Sequence, residues 1–247
     1  MSKFIIILDE YGLLILKGVG VTLLLSIMGT ILGLIFALIL GSIVSLEDSP
    51  FDNKWQKNIK QFFKWGINIY VTIFRGTPMI VQAIIFYYSF LKMGINWSPI
   101  IAGLFTVTIN TTAYLTEVIR GGIHSVNKDQ TEAGLSIGLS RFQTFIYLVL
   151  PQALKNAMAS IGNELVINIK DTSVLSVIMI MDLYNACMMA AGKYYFFIES
   201  MLIAAAIYLF LTMFFTIVLR FIEKKIGAPL KPVSYTHLRA HETAANL

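Results

Sequence analysis

"GVGVTLLLSIMGTILGLIFALILGSIV", Gly18 to Val44, runs 27 residues without one charged side chain. A bilayer's hydrocarbon core, about 30 Å thick, is spanned by about 20 apolar residues in a helix, so this stretch is long enough to cross. It holds the first apolar block, Val19 to Val44, and four more follow outward from it: Ile67 to Leu91, Trp97 to Val118, Met158 to Met181 and Tyr194 to Phe221. Alternating segments of about ten residues, the mark of outer-membrane barrels, are absent, so helices are the spanning structure. The expected fold is an all-α integral membrane protein of about five transmembrane helices, in one domain over residues 1–232.

Composition agrees. Hydrophobic residues make up 57% and charged residues 13% of the 247-residue chain, with a mean hydropathy of +0.74, whereas soluble domains carry about 25% charged residues. A single cysteine, Cys187, excludes an intramolecular disulfide. The histidines, His124, His237 and His241, have no metal-ligand spacing. The opening "MSKFIIILDEYG" has an apolar run too short for a signal-peptide core, so the first span is expected to be an uncleaved anchor.

Charge placement sets the topology. Lys54, Lys57, Lys60 and Lys64 follow the first block, Arg120, Lys128, Arg141 and Lys155 follow the third, and Arg220, Lys224, Lys225 and Lys231 follow the fifth. The opposite loops hold only Lys3, Lys17, Lys92 and Lys193. Basic residues stay on the cytoplasmic side, which puts the N-terminus outside and the C-terminus in the cytoplasm of a bacterial inner membrane. The net charge of +5 is thereby topology rather than a nucleic-acid surface.

The tail "PVSYTHLRAHETAANL" departs from the style of the chain. Through "PVSYTHLRAHET" it resembles the conceptual translation of a transposon-type sequencing-library adapter. Residues 233–247 are therefore set aside as an adapter-derived tail.

Within the third-to-fourth connection lies "EAGLSIGLSRFQTFIYLVLP", Glu132 to Pro151. Its pattern suits a short helix that exposes Glu132 and buries Leu135 and Leu139, a turn at Gly138, and a return to the membrane that Pro151 breaks or bends. An interfacial helix in a solvated loop is the plainer reading. The spacing of Glu132-Ala133-Gly134, Gly138 and Pro151 resembles the EAA loop of ABC importer permeases. "IYVTIFRGTPMIVQ", "TAYLTEVIRGGIHSVNKDQTEAG" and "ELVINIKDTSVLSVI" extend the resemblance to the polar amino acid subfamily, over most of Gly18 to Leu183.

The resemblance implies a type I importer permease fold and a coupling loop, about residues 120–157, that inserts into a groove on a cytoplasmic ATPase through Glu132, Ala133, Gly134, Gly138 and Pro151. It implies a dimer of ATPases, a second permease chain, the same or a sister, an extracytoplasmic solute-binding protein and a polar amino acid as cargo. Two departures from the family pattern stand out: Gly134 in place of a second alanine, which weakens the helix by about 1 kcal/mol, and Asp129 in place of a glycine. The chain has no G-x-x-x-x-G-K-[ST] motif, so ATP is expected on the partner and no cofactor on this chain.

Two polar clusters interrupt the apolar blocks. Arg75 sits in "FRGTP", where Pro78 frees the carbonyl of Phe74, and a charge within a span costs about 2.5–3.5 kcal/mol unless it pairs, snorkels or faces water. It either braces the cytoplasmic side or lines a pathway. "NIKDTS" places Glu164, Asn168 and Asp171 on one helical face by three- and four-residue spacing, with Lys170 beside them. That face either lines a wet passage for a zwitterionic substrate or forms an ion-pair network. Glu117 and Arg120 are spaced as an intrahelical pair. A secondary amino acid transporter or channel not coupled to ATP would share the composition, but would need no docking loop and would show inverted halves, which this sequence lacks.

Overall fold

A computed structural model describes residues 3–46 and 53–227, and the tail set aside above lies outside them. Small residues organise it. On α1 (Lys3–Val44), Gly18, Thr22, Ser26, Gly29, Thr30, Gly33, Ala37 and Gly41 are all buried. They form one stripe by their three- and four-residue spacing, which from Gly29 to Gly41 packs on α4 (Pro99–His124), while Gly18 lies against the backbone of Asp182. The backbones approach so closely that a Cβ on Gly29 would lie 2.4 Å from Val107 and one on Gly33 2.8 Å from Thr111. In lipid, where burying apolar surface drives little, such close approach is what holds helices together.

Three threonines of α4 are compatible with a membrane because they are buried and bonded back to the helix. Thr106, Thr112 and Thr116 donate to the carbonyls of Ala102, Thr108 and Thr112. At 26 residues, α4 is about 39 Å long and sufficient to cross. α1 and α9 (Phe197–Ile226) are long and apolar enough to cross alone, and two bent helix pairs also qualify if each is one span. Among the described residues that makes up to four spans by length and composition, and α4, long enough but more polar, is a fifth by length alone, roughly consistent with the count of apolar blocks.

The bent pairs differ from the continuous spans that hydropathy suggests. The block Ile67 to Leu91 is split between α2 (Lys54–Gly76) and α3 (Met79–Lys92), which turn by 108°. Thr77 is extended there, at φ −122° and ψ 142°, as a residue before proline prefers. The block Met158 to Met181 is α7 (Leu150–Asp171) followed by a 3-10 helix, Thr172–Ile178, which ends at left-handed Met179, φ 65°. After a bend of 55° the chain continues as α8 (Leu183–Tyr194).

At one end of the bundle, Lys3 pairs with Glu199 at 2.8 Å and Lys193 with Glu10, tying the start of α1 to α8 and α9. At the other end, α5 (Lys128–Ser136) and α6 (Arg141–Thr144) connect α4 to α7.

Candidate functional site

α5 is built as a rigid projecting helix. Asn127 caps its start by accepting from the Asp129 N–H at 3.1 Å, and the Asp129 carboxylate accepts from the Asn127 amide at 2.8 Å. An acidic residue in a first turn also meets the helix dipole favourably, which gives Asp129 a use where the family pattern has glycine. At the other end Gly138 adopts φ +87°. Its N–H donates to Leu135 O and the Leu139 N–H to Gly134 O, at 3.0 and 3.1 Å, the pair of bonds of a Schellman cap. The expected turn at Gly138 is present.

The burial within this helix differs from the expectation. Leu135 is 38% exposed and Leu139 half-buried, while the residue that faces inward is Gly134. A Cβ there would meet Thr144 at 2.7 Å and Leu148 at 2.9 Å. Glycine lets α5 lie flat against the following helix, so the departure from alanine is a packing requirement that outweighs the propensity lost. Glu132, Ala133, Ser136 and Ile137 are left pointing to solvent. Gln130 accepts from Gln152 at 3.3 Å, a second tie to α7.

Pro151 does not break the chain. A box of Ser140 and Gln143 caps α6, which runs through a π-helical turn, Phe145–Val149, directly into α7. The Leu150 N–H donates to Phe145 O, five residues back. The wider turn makes room for the proline ring, so α6, the π turn and α7 form one lever from α5 into the membrane.

The break at Pro78 is satisfied by two amides that the sequence reading missed. The Gln82 amide N–H groups reach Phe74 O, Thr77 O and Thr77 Oγ1, each at 2.9 Å. The Asn110 amide donates to Gln82 Oε1 at 3.0 Å and to Phe74 O at 3.4 Å. Both are buried. Their signal was available: an uncharged amide alone in an apolar span needs a partner, and Gln82 lies one turn past the proline. Arg75, at the corner, lies 3.8 Å from Glu117 and over the Tyr114 ring at 5.3 Å. Glu117 is shared with Arg120 at 2.7 Å, the intrahelical pair expected from spacing.

Glu164, Asn168 and Asp171 are not brought onto one open face. Asn168 is 2% exposed and donates to Thr30 of α1 and Thr111 of α4, both at 2.9 Å, so it clasps three helices. Glu164 is also buried. Lys170 and Asp171 are exposed. Asp182, also missed, is fully buried and caps α8 by accepting from the N–H groups of Asn185 and Tyr184. Tyr208 of α9 donates to the same carboxylate.

A model of the family "binding-protein-dependent transport system inner membrane component" matches residues 56–228. A putative glutamine transport system permease protein of Rickettsia felis is 37% identical over 160 residues, 64% of this chain and 73% of the relative. The glutamine transport system permease protein of Escherichia coli K12 is 34% identical over 161 residues, at the same coverage of 64% and 73%. The arginine transport system permease protein of Bacillus subtilis is 32% identical over 165 residues, 66% of this chain and 75% of the relative. Among solved structures, an amino acid ABC transporter crystallised with histidines superposes with a TM-score of 0.76 at 29% identity, covering 88% of this chain and 96% of that one. A methionine ABC transporter reaches a TM-score of 0.69 at 14% identity over 86% and 96% of the two chains, a likeness of fold alone.

Proposed function

The chain belongs to the binding-protein-dependent transport system inner membrane components, and from that premise we propose that it is the permease subunit of an ATP-driven importer whose cargo is a polar amino acid. A family component of this kind is the membrane part of the transporter and not its ATPase. Relatives named for glutamine and arginine transport support the class of cargo. Two cytoplasmic ATPase subunits bind the ATP. A second permease chain completes the bundle, and a solute-binding protein delivers cargo from outside. The N-terminus lies outside and the C-terminus in the cytoplasm, in agreement with the placement of the lysines and arginines.

The observation that carries the coupling role is the exposed side of α5, held rigid at both ends and set by Gly134 on a helix that continues into the membrane. An ATPase groove receives Glu132 and Ala133, small and acidic enough to enter it and to meet basic residues there. Closure of the ATPases moves α5, and the α6–α7 lever transmits the displacement to Glu164, Asn168, Lys170 and Asp171. Arg75, at the corner of α2 and α3 and paired with Glu117, is the remaining charge assigned to the passage. Asn168 holds α1, α4 and α7 together as they move, and the exposed Lys170 and Asp171 offer both signs to a zwitterion.

Reconstitution tests this. Vesicles holding the chain, its candidate ATPase and its binding protein take up labelled glutamine or arginine only with ATP. Gly138→Asp, which places a side chain at φ +87°, leaves the chain in the membrane but abolishes uptake and co-purification with the ATPase. Normal uptake in that variant contradicts the coupling role.

A further inference from the structure

Asp182 is a costly residue with which to start a helix. α9 runs unbroken from Phe197 to Ile226, and Tyr208, which reaches Asp182, lies about 14 Å along it from Glu199 and about 26 Å from Lys225. That depth is inside the membrane. Asn or Ser would cap α8 as well as Asp does and would bring no charge. No ion pair among the described residues includes Asp182. A fully buried carboxylate at this depth needs a use beyond the cap.

The third donor points to that use. Two bonds to the carboxylate, from the N–H groups of Asn185 at 3.0 Å and Tyr184 at 3.3 Å, belong to the cap, but the Tyr208 hydroxyl, at 3.3 Å, comes from α9. The backbone at the same place meets α1. A Cβ on Gly18 would lie 2.7 Å from Asp182 O, and the Leu183 N–H donates to Thr22 Oγ1 at 3.2 Å. Just before it the chain is left-handed at Met179, φ 65°, and Ile180, 1% exposed, fills the notch of Gly103 on α4, where a Cβ would lie 2.3 Å from its Cδ1. The Asn185 amide donates to Ile180 O at 2.9 Å and ties this second seat to the first. One end of the 3-10 helix Thr172–Ile178 is thus held by α4 on one side and by α1 and α9 on the other. Its opposite end carries Lys170 and Asp171.

We infer that Asp182 is a positioning residue for the passage: through its bond to Tyr208 it fixes residues 172–181 against α9, and so sets where Lys170 and Asp171 stand. Seven residues of hydrogen-bonded helix separate the two ends, short and stiff enough for a shift at one to be felt at the other. A carboxylate serves because its two oxygens accept from the cap and from α9 together, whereas a serine hydroxyl in its place would cap α8 but stop short of Tyr208. The inference rests on the assignment of Lys170 and Asp171 to the passage.

Tyr208→Phe removes the one bond and keeps the ring, and Asp182→Ser keeps a cap but loses α9. In the full chain carrying Cys187→Ser, spin labels on Val177→Cys of the 3-10 helix and Leu209→Cys of α9, both exposed, measure the distance between the two elements. The distribution should be narrow in the parent and broaden or shift in both variants. In vesicles assembled with the candidate ATPase and binding protein, labelled glutamine or arginine taken up per ATP hydrolysed should fall about ten-fold in Tyr208→Phe. Loss of folded protein lowers uptake and hydrolysis alike and leaves that ratio unmoved. The combined variant should fall no further than Asp182→Ser alone, since both remove the same contact. Parent-like distances in both variants, or a parent-like ratio in Tyr208→Phe, overturn the proposal and leave Asp182 as a helix cap. The distance measurement needs neither cargo nor ATPase, so it decides the proposal separately from the reading of the cargo.

Discussion

Two prolines, Pro78 and Pro151, sit in apolar sequence and do opposite things. At Pro78 the chain turns by 108°, with Thr77 extended. At Pro151 the helix continues, with Leu150 helical at φ −59° and ψ −43°. What differs is where the freed carbonyls find partners. At Pro78 buried Gln82 and Asn110 converge on Phe74 and Thr77. At Pro151 no buried amide is at hand among the described residues, and a π-helical turn absorbs the ring within the helix itself. A proline marks where the ladder must change, and distant side chains decide whether the change becomes a corner or a lever.

The largest effect should therefore fall on the amide at the corner. Gln82→Leu strands the Thr77 carbonyl and leaves an Asn110 amide N–H without the Gln82 Oε1 that accepts it, and should lower stability by about 2–4 kcal/mol, read as the unfolding midpoint in detergent. A variant as stable as the parent would mean that backbone strain alone holds the corner.

Next comes the seat of the lever. Gly134→Ala gains about 1 kcal/mol in helix propensity but forces a Cβ against Thr144 and Leu148, an overpacking cost of about 1–3 kcal/mol. The expected result is α5 tilted off its seat, reduced co-purification with the ATPase, and rescue by Thr144→Ala. Absence of rescue would show that the packing is not what glycine serves.

The smallest effects belong to Pro151. Gln152, beside it, is exposed and donates to Leu148 O and Gln130, so Gln152→Leu should cost under about 1 kcal/mol. That is well below the matching change at Gln82. Pro151→Ala should likewise leave the helix intact, with helical content by circular dichroism unchanged. If either were as damaging as Gln82→Leu, the contrast between corner and lever would fail.

Much of this was legible in the sequence. The apolar blocks gave the membrane class and, roughly, the number of spans, and Gly138 announced its turn because a positive φ favours glycine. The partners across the fold were not legible. Periodicity put Glu164, Asn168 and Asp171 on one face of one helix, but the neighbours of that face, Thr30 and Thr111, lie 138 and 57 residues away in the chain. The role of Gly134 was hidden for the same reason, since propensity speaks of the helix alone and the contact is with the next one. Asp182 was passed over because its span ends in a 3-10 helix that hydropathy cannot distinguish from a continuing α-helix.

Docking of α5 on an ATPase is the centre of the account, and a cross-link reads it directly. In a Cys187→Ser background, Ala133→Cys places a thiol on the exposed side of the helix, and a short bifunctional reagent is applied to the transporter assembled with its candidate ATPase. The expected result is a permease–ATPase adduct from Ala133→Cys and none from Leu24→Cys, at an exposed apolar residue in the middle of α1. Adduct formation that is absent at Ala133, or equal at the two positions, would contradict it.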